Sequence, residues 1–457
     1  MITSFPAFTA ALDRRLQAHA AAPLAVGFSG GGDSLALLIL TLDWARAHGR
    51  SVLSLTVDHQ LNPASSDWTA EALAKARALG AEARALAWTG PKPATGLSAA
   101  ARAARHALLA DAARQAGARV LLLGHTADDL AEAALMRAQG STVPDPRAWS
   151  PSPAWPEGRG VFVLRPLLLV GRGEIRDGLR ARGETWLDDP ANVDPRSARA
   201  RARRDLQQTD GTSRQGAASD APAVTSPIGA APPSPFHGGG EGYLTLLRDA
   251  PAAHVAAACL CAAGTVQPPR GERLRRLVDR IRAGETFTAT LAGARIEADG
   301  EGVWFFREPG EARRAGPPPV GEVSAKPTEG GLVERPTSPP TDPSGRLPHR
   351  GRGDLAEPLA LPLNQPVVWD GRYELTAAEP GLVVRPLQGL AARLPLAQRR
   401  ALKGFPAAAR PSLPVLLAPD GTVTCPILAG TKATRARCLV VDRFEAATGR
   451  VDQEPAT

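Results

Sequence analysis

Residues 24–38 read LAVGFSGGGDSLALL, and this stretch decides the fold of the chain. Its apolar start, Leu24–Phe28, predicts a strand, and its end predicts an amphipathic helix that stops at Gly49. The turn between them consists of Ser29, Gly30, Gly31, Gly32, Asp33 and Ser34. Because glycines allow close backbone approach and a helix N-terminus attracts anions, this glycine turn predicts a phosphate site. A glycine-rich turn without any ligand is the alternative interpretation.

The glycine turn is not of the Walker type, because no Gly-Lys-Ser or Gly-Lys-Thr sequence follows its glycines. We therefore expect the hydroxyl groups of Ser29 and Ser34, together with backbone N–H groups, to hold the phosphates. The carboxylate of Asp33 is suited either to hold a metal ion or to orient a reacting group.

Strand and helix patterns alternate after this stretch. Predicted strands are 51–57, 83–88, 120–123 and 161–164, predicted helices are 66–79, 98–115, 128–139 and 173–182, and a Pro- and Gly-rich loop is predicted at 144–160. Such an alternation is typical of a parallel sheet covered by helices on both faces. The predicted fold is therefore an α/β, doubly wound parallel sheet, followed by smaller helical and α+β domains.

Polar side chains follow two further predicted strands at their carboxyl ends. Asp58 and His59 follow the second strand, and His125, Asp128 and Asp129 follow the fourth. Ligands of open α/β sheets bind beyond the carboxyl ends of the strands, so we expect these residues to share one site with the glycine turn. Each residue has an ordinary alternative when taken singly, since Asp58 or Asp128 can cap a helix.

An arginine-rich segment follows the last predicted helix of the sheet. Its members are Arg196, Arg199, Arg201, Arg203 and Arg204. Closely spaced arginines suit the phosphates of a nucleotide or an RNA backbone, and the formal net charge of +8 suits a polyanionic partner. A solvated helix start and an ordinary basic surface are the alternatives for these two observations.

The length of 457 residues predicts more than one domain, because single cores rarely exceed about 300 residues. We predict a first domain, which contains the glycine turn, at 1–206, a small middle domain at 246–310 and a C-terminal domain at 359–457. Residues 207–245 and 311–358 lack periodicity and are rich in Ser, Gly, Pro and Ala, which predicts disordered insertions.

Strand signals also occur after residue 245. The stretches 287–296 and 303–307 are strand-like, and Asp420-Gly421 predicts a hairpin turn. The four cysteines, which are Cys259, Cys261, Cys425 and Cys438, form no Cys-x-x-Cys pair, so reduced thiols are expected. No secretory leader and no apolar run long enough to span a bilayer is apparent, and a cytoplasmic location is expected.

Six short segments together resemble one known family. They are Ser29–Ser34 (SGGGDS), Val57–Leu61 (VDHQL), Ala101–His106 (ARAARH), Gly124–Glu132 (GHTADDLAE), Arg165–Leu168 (RPLL) and Asp189–Asn192 (DPAN). The first is similar to the SGGxDS loop of the PP-loop ATP pyrophosphatases, and the whole set is similar to the tRNA(Ile)-lysidine synthases. His106 stands where that family usually has Tyr, and Leu130 where it has Gln. Trp369–Tyr373 (WDGRY) resembles the start of its C-terminal region.

The resemblance implies a ligase that uses ATP in two steps. ATP adenylates the C2 oxygen of the wobble cytidine of a tRNA(Ile) with a CAU anticodon, and free lysine then displaces AMP to give lysidine. The modified anticodon reads AUA instead of AUG.

The resemblance also implies roles for individual residues. The catalytic residues would be Asp33, Arg105, His125 and Asp129, of which Asp129 and His125 would bind and activate lysine. The ATP-binding residues would be those of the glycine turn, with Asp58 and His59. Mg²⁺ is expected at Asp33 and Asp129. Contacts with tRNA are expected from Arg199, Arg201, Arg203 and the C-terminal domain.

Other functions stay open at this point. A PP-loop enzyme that thiolates tRNA needs cysteines near its site, and no cysteine precedes Cys259. A glutamine-dependent synthetase needs a glutaminase unit with a nucleophilic cysteine, which the sequence does not indicate. A nucleotide-dependent RNA-binding protein without catalysis would release no pyrophosphate from ATP in the presence of tRNA.

Overall fold

The computed structural model describes residues 5–90, 92–140, 146–155, 158–187, 201–206, 242–266, 269–309, 358–431 and 433–455. The insertions predicted at 207–245 and 311–358 fall almost wholly outside these ranges. The first of two compact units comprises described residues within Met1–Lys92, Ser98–Pro233 and Glu445–Thr457, and the second comprises those within Pro93–Leu97 and Ser234–Phe444. Within the described ranges, no helix combines the length and the apolar character that a membrane crossing requires.

The first unit contains a six-stranded sheet. Its strands are β1 (Leu24–Gly27), β2 (Val52–Asp58), β3 (Glu82–Ala87), β4 (Val120–Leu123), β5 (Trp149–Pro151) and β6 (Phe162–Leu164). They lie in the order β3-β2-β1-β4-β6-β5, and only the pair of β5 and β6 is antiparallel. The prediction that residues 144–160 form a loop is wrong in this respect, because β5 lies within them. An edge strand tolerates the Pro residue that weakens its strand signal.

Helices cover both faces of this sheet. They are α1 (Pro6–Arg15), α2 (Gly32–Ala47), α3 (Ser65–Ala78), α4 (Leu97–Gln115), α5 (Ala127–Ala138) and α6 (Arg172–Ala181). Successive side chains of a strand point to opposite faces. Leu24 and Val26 of β1 therefore pack in one core with α1, α2 and α6, while Ala25 packs in another core with α4. The predicted doubly wound α/β fold is confirmed.

The strand order brings the glycine turn and the end of β4 together. β1 lies between β2 and β4, where the strand order reverses, and doubly wound sheets bind ligands at this switch point. The glycine turn follows β1, and Gly124 follows β4. A Cβ atom built on Gly124 would lie only 3.0 Å from the carbonyl oxygen of Asp33. The absence of a side chain at Gly124 thus lets the two loops meet.

The second unit contains three small sheets. Its strands are β7 (Leu244–Leu246), β8 (Phe287–Leu291), β9 (Ala294–Ala298), β10 (Val303–Arg307), β11 (Leu359–Ala360), β12 (Pro366–Trp369), β13 (Tyr373–Ala377), β14 (Val383–Pro386), β15 (Pro414–Leu417), β16 (Val423–Thr424) and β17 (Thr434–Cys438). The strand orders are β7-β10-β9-β8, β11-β14-β15-β16 and β12-β13-β17. The α-helices that follow residue 250 in the described ranges are α7 (Ala252–Ala263), α8 (Gly271–Arg282), α9 (Leu396–Leu402) and α10 (Val440–Ala447).

A buried charge network holds the second unit together. Arg372 is fully buried, and its guanidinium group lies 2.7 Å from the Asp370 carboxylate. The same carboxylate lies 2.8 Å from the guanidinium group of Arg307, at the end of β10. Arg372 also donates to the backbone carbonyl of Ser412. The WDGRY stretch therefore joins the middle and C-terminal parts of this unit.

Candidate active site

The glycine turn connects β1 to α2 and is organised by its two serines. The Ser34 hydroxyl donates to the carbonyl oxygen of Gly31 at 2.9 Å and accepts the Ser29 N–H at 3.2 Å, and the two hydroxyl oxygens are 3.2 Å apart. Gly30 has a φ of +83°, which glycine adopts without strain. Hydrogen bonds within the turn therefore fix its shape.

Asp33 lies in the first turn of α2 and forms an ion pair with Arg172, whose Nε lies 3.0 Å from its Oδ2. About a quarter of the Asp33 side chain is exposed, 25%. Burial raises the pKa of the Asp33 carboxyl above its ordinary value, Arg172 opposes this rise, and Asp129 adds to it. The carboxylates of Asp33 and Asp129 therefore lie close enough to interact.

Arg172, the first residue of α6, is surrounded by carboxylates that we call the acidic cluster. Its members are Asp33, Asp128, Asp129 and Glu132. Beside its contact with Asp33, the guanidinium group lies 3.2 Å from Glu132, 3.8 Å from Asp129 and 4.0 Å from Asp128. Although burial acts to lower it, the pKa of Arg172 is raised by Asp33, Asp129 and Glu132.

The two neighbouring aspartates are held by helix capping. Asp129 Oδ2 accepts the Thr126 N–H at 2.8 Å and the Thr126 hydroxyl at 3.2 Å, which forms the capping box of α5. The Asp128 carboxylate accepts the backbone N–H of Arg172 at 2.7 Å, at the start of α6. The sequence allows Asp128 to be a helix cap. The structure shows that Asp128 caps α6 and also belongs to the acidic cluster.

Glu132 is the most buried member of the acidic cluster, with 1% of its side chain exposed. It accepts a hydrogen bond from Arg203 Nε at 2.8 Å as well as from Arg172. Of the three arginines predicted to contact tRNA, Arg203 thus contacts the acidic cluster. Arg201 is exposed on the helical residues 201–206, and Arg199 lies outside the described residues.

The acidic cluster fits Mg²⁺ only in combination with phosphate. Mg²⁺ is usually held by one or two carboxylates together with substrate phosphates and waters. Asp33 and Asp129 supply two neighbouring carboxylates, and a triphosphate on the glycine turn would supply further oxygens. Among the residues that the structure describes, no three His, Cys, Asp or Glu side chains are grouped as metal ligands, so these residues form no complete cage.

Basic side chains gather around His106 of α4. We call Arg102, Arg105 and Arg165 the basic cluster. His106 is 4% exposed, and its two ring nitrogens have no hydrogen-bond partner within the described ranges. Burial and the basic cluster lower the pKa of His106 to about 2, with a smaller effect from His125. Burial, Arg102 and Arg105 lower the pKa of Arg165 to about 10, and Asp129 opposes them.

Asp58 and His59 lie at the carboxyl end of β2. The Asp58 carboxylate accepts the backbone N–H of Gln60 at 2.8 Å and stabilises the turn that follows the strand. Burial lowers the pKa of His59, and the nearby Arg105 guanidinium lowers it further. Arg105 therefore acts on both His59 and His106. The predicted site residues therefore form two groups. Asp33 and Asp129 belong to the acidic cluster, and Arg105 lies near His59 and His106.

Sequence reasoning misses Arg172, which lies at the centre of the acidic cluster. The predicted helix starts one residue later, at Gly173, and Arg172 receives no role. A signal is nevertheless present, because a cation at a helix N-terminus is unfavourable unless negative groups surround it. Glu132 and Arg165 stand within the motif segments, but only their contacts reveal a place in the site.

Comparison with known proteins identifies the family. A family model of the PP-loop domain matches residues 6–209. The chain is 53% identical over 455 residues to the tRNA(Ile)-lysidine synthase of Caulobacter vibrioides, with 98% of each chain covered. It is 38% identical over 324 residues to the tRNA(Ile)-lysidine synthase of Hyphomonas neptunium, with 64% of this chain and 83% of that one covered.

Among solved structures, the U34-tRNA thiolase NcsA from Methanococcus maripaludis with its 4Fe-4S cluster is similar at a TM-score of 0.37 and 17% identity. The similarity covers 45% of this chain and 73% of that one. The match to the Caulobacter vibrioides enzyme, by contrast, extends over 98% of this chain. The chain therefore belongs to the tRNA(Ile)-lysidine synthase family.

Proposed function

We propose that this chain is an ATP-dependent ligase that joins free lysine to C2 of the wobble cytidine of a tRNA(Ile) with a CAU anticodon. The observation that carries the proposal is the environment of Asp33. This carboxylate stands at the N-terminus of α2, next to the glycine turn, and is paired with Arg172 beside Asp129 and Glu132. The PP-loop domain and the family support the use of ATP and a tRNA(Ile) substrate.

We assign the triphosphate of ATP to the glycine turn. Backbone N–H groups and the dipole of α2 stabilise negative charge at this position. In the first step, the C2 oxygen of cytidine attacks the α-phosphorus of ATP. The new oxygen–phosphorus bond forms as the bond to the bridging oxygen breaks, and pyrophosphate leaves. The base then carries AMP as a leaving group at C2.

The charge that develops on the phosphates requires positive partners. Asp33 and Asp129 would hold Mg²⁺, which when bound neutralises part of the triphosphate charge. Arg105 stabilises the α-phosphate during adenylation and the departing AMP in the second step. The neighbouring His106 is buried in its neutral form, so it places no like charge beside Arg105.

We assign the side chain of lysine to the acidic cluster. The cluster already binds the guanidinium groups of Arg172 and Arg203, so its carboxylates are suited to an ammonium group. The ammonium group must lose a proton before its nitrogen can attack, and Asp129 with His125 is the proposed acceptor pair. The nitrogen–C2 bond forms, the C2–oxygen bond breaks, and AMP leaves with the oxygen.

We assign tRNA binding to Arg199, Arg201 and the C-terminal domain predicted at 359–457. Arg203, which the sequence pattern groups with these arginines, is assigned to the acidic cluster that it contacts. The net charge of +8 supports a polyanionic partner. ATP, free lysine and tRNA are all compounds of the cytoplasm, which is therefore the proposed location.

The proposal is tested by incubating the protein with ATP, Mg²⁺, radiolabelled lysine and a transcript of tRNA(Ile) with a CAU anticodon. We expect pyrophosphate release to require tRNA, and label to enter the wobble nucleoside as lysidine. The matched control is the same transcript with uridine at the wobble position, which should give neither product. Failure of the wild-type protein to release pyrophosphate with the CAU transcript would overturn the proposal.

Base thiolation is disfavoured by the positions of the cysteines. Cys259, Cys261, Cys425 and Cys438 all belong to the second unit, and the first unit has none. Burial raises the pKa of both the Cys259 and the Cys261 thiol to about 12. A thiol of this kind stays protonated, whereas sulfur transfer needs a thiolate near the nucleotide.

A further inference from the structure

The chain that follows α6 returns across the glycine turn. We call residues 183–187 the covering segment. The Leu187 N–H donates to the carbonyl oxygen of Gly30 at 3.0 Å. The Trp186 ring lies against Gly32, where a Cβ atom built on the glycine would be 3.4 Å from three ring atoms. The covering segment therefore touches the turn through its backbone and through an aromatic side chain.

The glycine turn makes room for this segment. A Cβ atom built on Gly30 would lie 2.6 Å from Leu187 Cδ1, which is closer than two carbon atoms approach without a bond. A side chain at Gly30 would also be strained, because its φ is +83°. Sequence reasoning explains Gly30 by the approach of phosphate, and the structure adds packing against Leu187 as a second reason.

The covering segment is held in place by the helices around it. Glu184 lies 2.6 Å from Lys75 Nζ on α3, and its backbone N–H donates to the carbonyl oxygen of Leu179 on α6 at 3.0 Å. The Arg180 guanidinium group lies over the Trp186 ring, 5.9 Å from its centre. Trp186 also packs against the core that α2 and β1 share. These contacts hold the covering segment in place independently of the glycine turn, so the turn packs against a fixed surface.

We propose that Trp186 and Leu187 are positioning residues that keep the glycine turn in its anion-binding conformation. In a trans peptide, the C=O and the following N–H point in opposite directions. The hydrogen bond from Leu187 holds the Gly30 carbonyl toward the covering segment, so the Gly31 N–H points to the opposite side of the turn, toward the phosphates of ATP. This inference rests on the proposed use of ATP and extends it to two residues that act through the glycine turn.

Two substitutions remove the two contacts separately. Trp186→Ala removes the ring behind Gly32, and Leu187→Pro removes the N–H that holds Gly30. We expect each to raise the KM for ATP and the Kd of a non-hydrolysable ATP analogue by about tenfold, the equivalent of one net hydrogen bond. The KM for lysine should change less than about twofold, because the acidic cluster is untouched. Trp186→Phe keeps an aromatic face and should restore most of the affinity for ATP.

The matched control is Trp149→Ala. Trp149 is a half-buried tryptophan on the edge strand β5 of the same sheet, where it stacks on Phe162. Its loss should lower the melting temperature without changing the KM for ATP. Leu187→Ala keeps the backbone N–H and should have an effect smaller than that of Leu187→Pro. It provides the measurement at this position if the proline variant does not fold.

Unchanged binding of the ATP analogue to folded Trp186→Ala would overturn the inference, and so would unchanged binding to a folded Leu187→Pro. Equal weakening of ATP and lysine binding would overturn it as well, because the role would then be purely structural. If the wild type binds the analogue but makes no lysidine, the proposed function fails. In that case, a tenfold loss of analogue binding in Trp186→Ala would still support the inference.

Discussion

The acidic cluster and the basic cluster lie at the same edge of one sheet but are built in opposite ways. The carboxylates of the acidic cluster surround a fixed cation, Arg172, at distances of 3.0 to 4.0 Å. The guanidinium groups of the basic cluster surround His106, which burial and those same groups keep neutral at a pKa of about 2. One side therefore carries its own counter-charge at its centre, and the other carries an uncharged ring.

This difference indicates what each side can bind. Arg172 allows four carboxylates to lie together without strong mutual repulsion, and under the proposed function these carboxylates bind the ammonium group of lysine. A neutral His106 adds no charge to the basic cluster, whose guanidinium groups are proposed to bind phosphate. Asp129 acts on both sides, since it opposes the lowering of the Arg165 pKa and contributes to the raised pKa of Arg172. The nucleophile and the leaving group are therefore expected to meet beside Asp129.

The largest effect is expected from Asp33→Asn, which removes the charge that pairs with Arg172. The rate of tRNA-dependent pyrophosphate release should fall by about a thousandfold, because preorganised charge is worth about 10² to 10³ in rate. The free energy of unfolding should change by less than about 1 kcal/mol, because burial already disfavours the charged form of Asp33 and Arg172 keeps the carboxylates of Asp129 and Glu132 as partners. Pyrophosphate release and thermal melting are the measurements.

The matched control for Asp33→Asn is Asp43→Asn. Asp43 is an exposed aspartate on the same helix, α2, and it forms a surface ion pair with Arg46 at 2.9 Å. Its substitution should leave the rate of pyrophosphate release at the wild-type value. A wild-type rate in Asp33→Asn would instead remove Asp33 from the site and end the comparison between the two clusters.

The second effect concerns the basic cluster, which Arg105→Gln weakens. The guanidinium group of Arg105 contributes to the lowered pKa of both His59 and His106. Both pyrophosphate release and the transfer of lysine should slow by about a hundredfold, since phosphate charge develops in each step. Arg275→Gln, which changes an exposed arginine of α8, is the control and should leave both rates unchanged. A change confined to the KM for tRNA would mean that Arg105 contacts tRNA rather than the reacting phosphate.

The parts of the first unit that follow from the sequence are those with local signals. The glycine turn and the alternation of strands and helices are recognisable within short windows, because the backbone imposes their periods. The ion pair between Asp33 and Arg172 joins residues 139 positions apart and exists only after α6 has docked on the sheet. The packing of Leu187 on Gly30 has the same origin. Periodicity therefore predicts the scaffold, whereas the partners of the site residues emerge only from tertiary contacts.

Turn chemistry sets a second limit to prediction, as two hairpins of the second unit illustrate. Asp420-Gly421 predicts a hairpin, and the turn between β15 and β16 confirms it. The stretch 287–296, which reads as one strand, is in fact the hairpin of β8 and β9. Ala292 and Gly293 both have positive φ there, as a type I′ turn requires, but alanine gives no signal for that conformation.

A smaller effect on substrate KM values should distinguish Arg203 from Arg201, which the sequence pattern predicts to have the same role. Arg203→Gln should raise the KM for lysine by about tenfold, because Glu132 loses a charged hydrogen-bond partner at 2.8 Å. Arg201→Gln alters an exposed side chain and should raise only the KM for tRNA, by about threefold. Steady-state kinetics with each substrate varied in turn measures both. An unchanged KM for lysine in Arg203→Gln would mean that the acidic cluster does not bind lysine.

The smallest effect concerns His106 and appears only as a pH dependence of stability. The folded imidazole has a pKa of about 2, whereas an unfolded histidine titrates near 6.5, so below pH 6.5 only the unfolded chain takes up this proton. The stability that depends on a neutral His106 is therefore present above pH 6.5. It is lost as the pH falls, by at most about 1.4 kcal/mol per pH unit.

His106→Leu removes this difference in proton uptake. In urea unfolding between about pH 7.5 and 5.5, the free energy of unfolding should fall less steeply with decreasing pH for the variant than for the wild type. The other titrating groups are common to both proteins and cancel in the difference between the two slopes. If the free energy of unfolding depends on pH equally in the two proteins, His106 accepts a proton among the arginines of the basic cluster. The contrast between a cluster with a charged centre and one with a neutral centre would then be wrong.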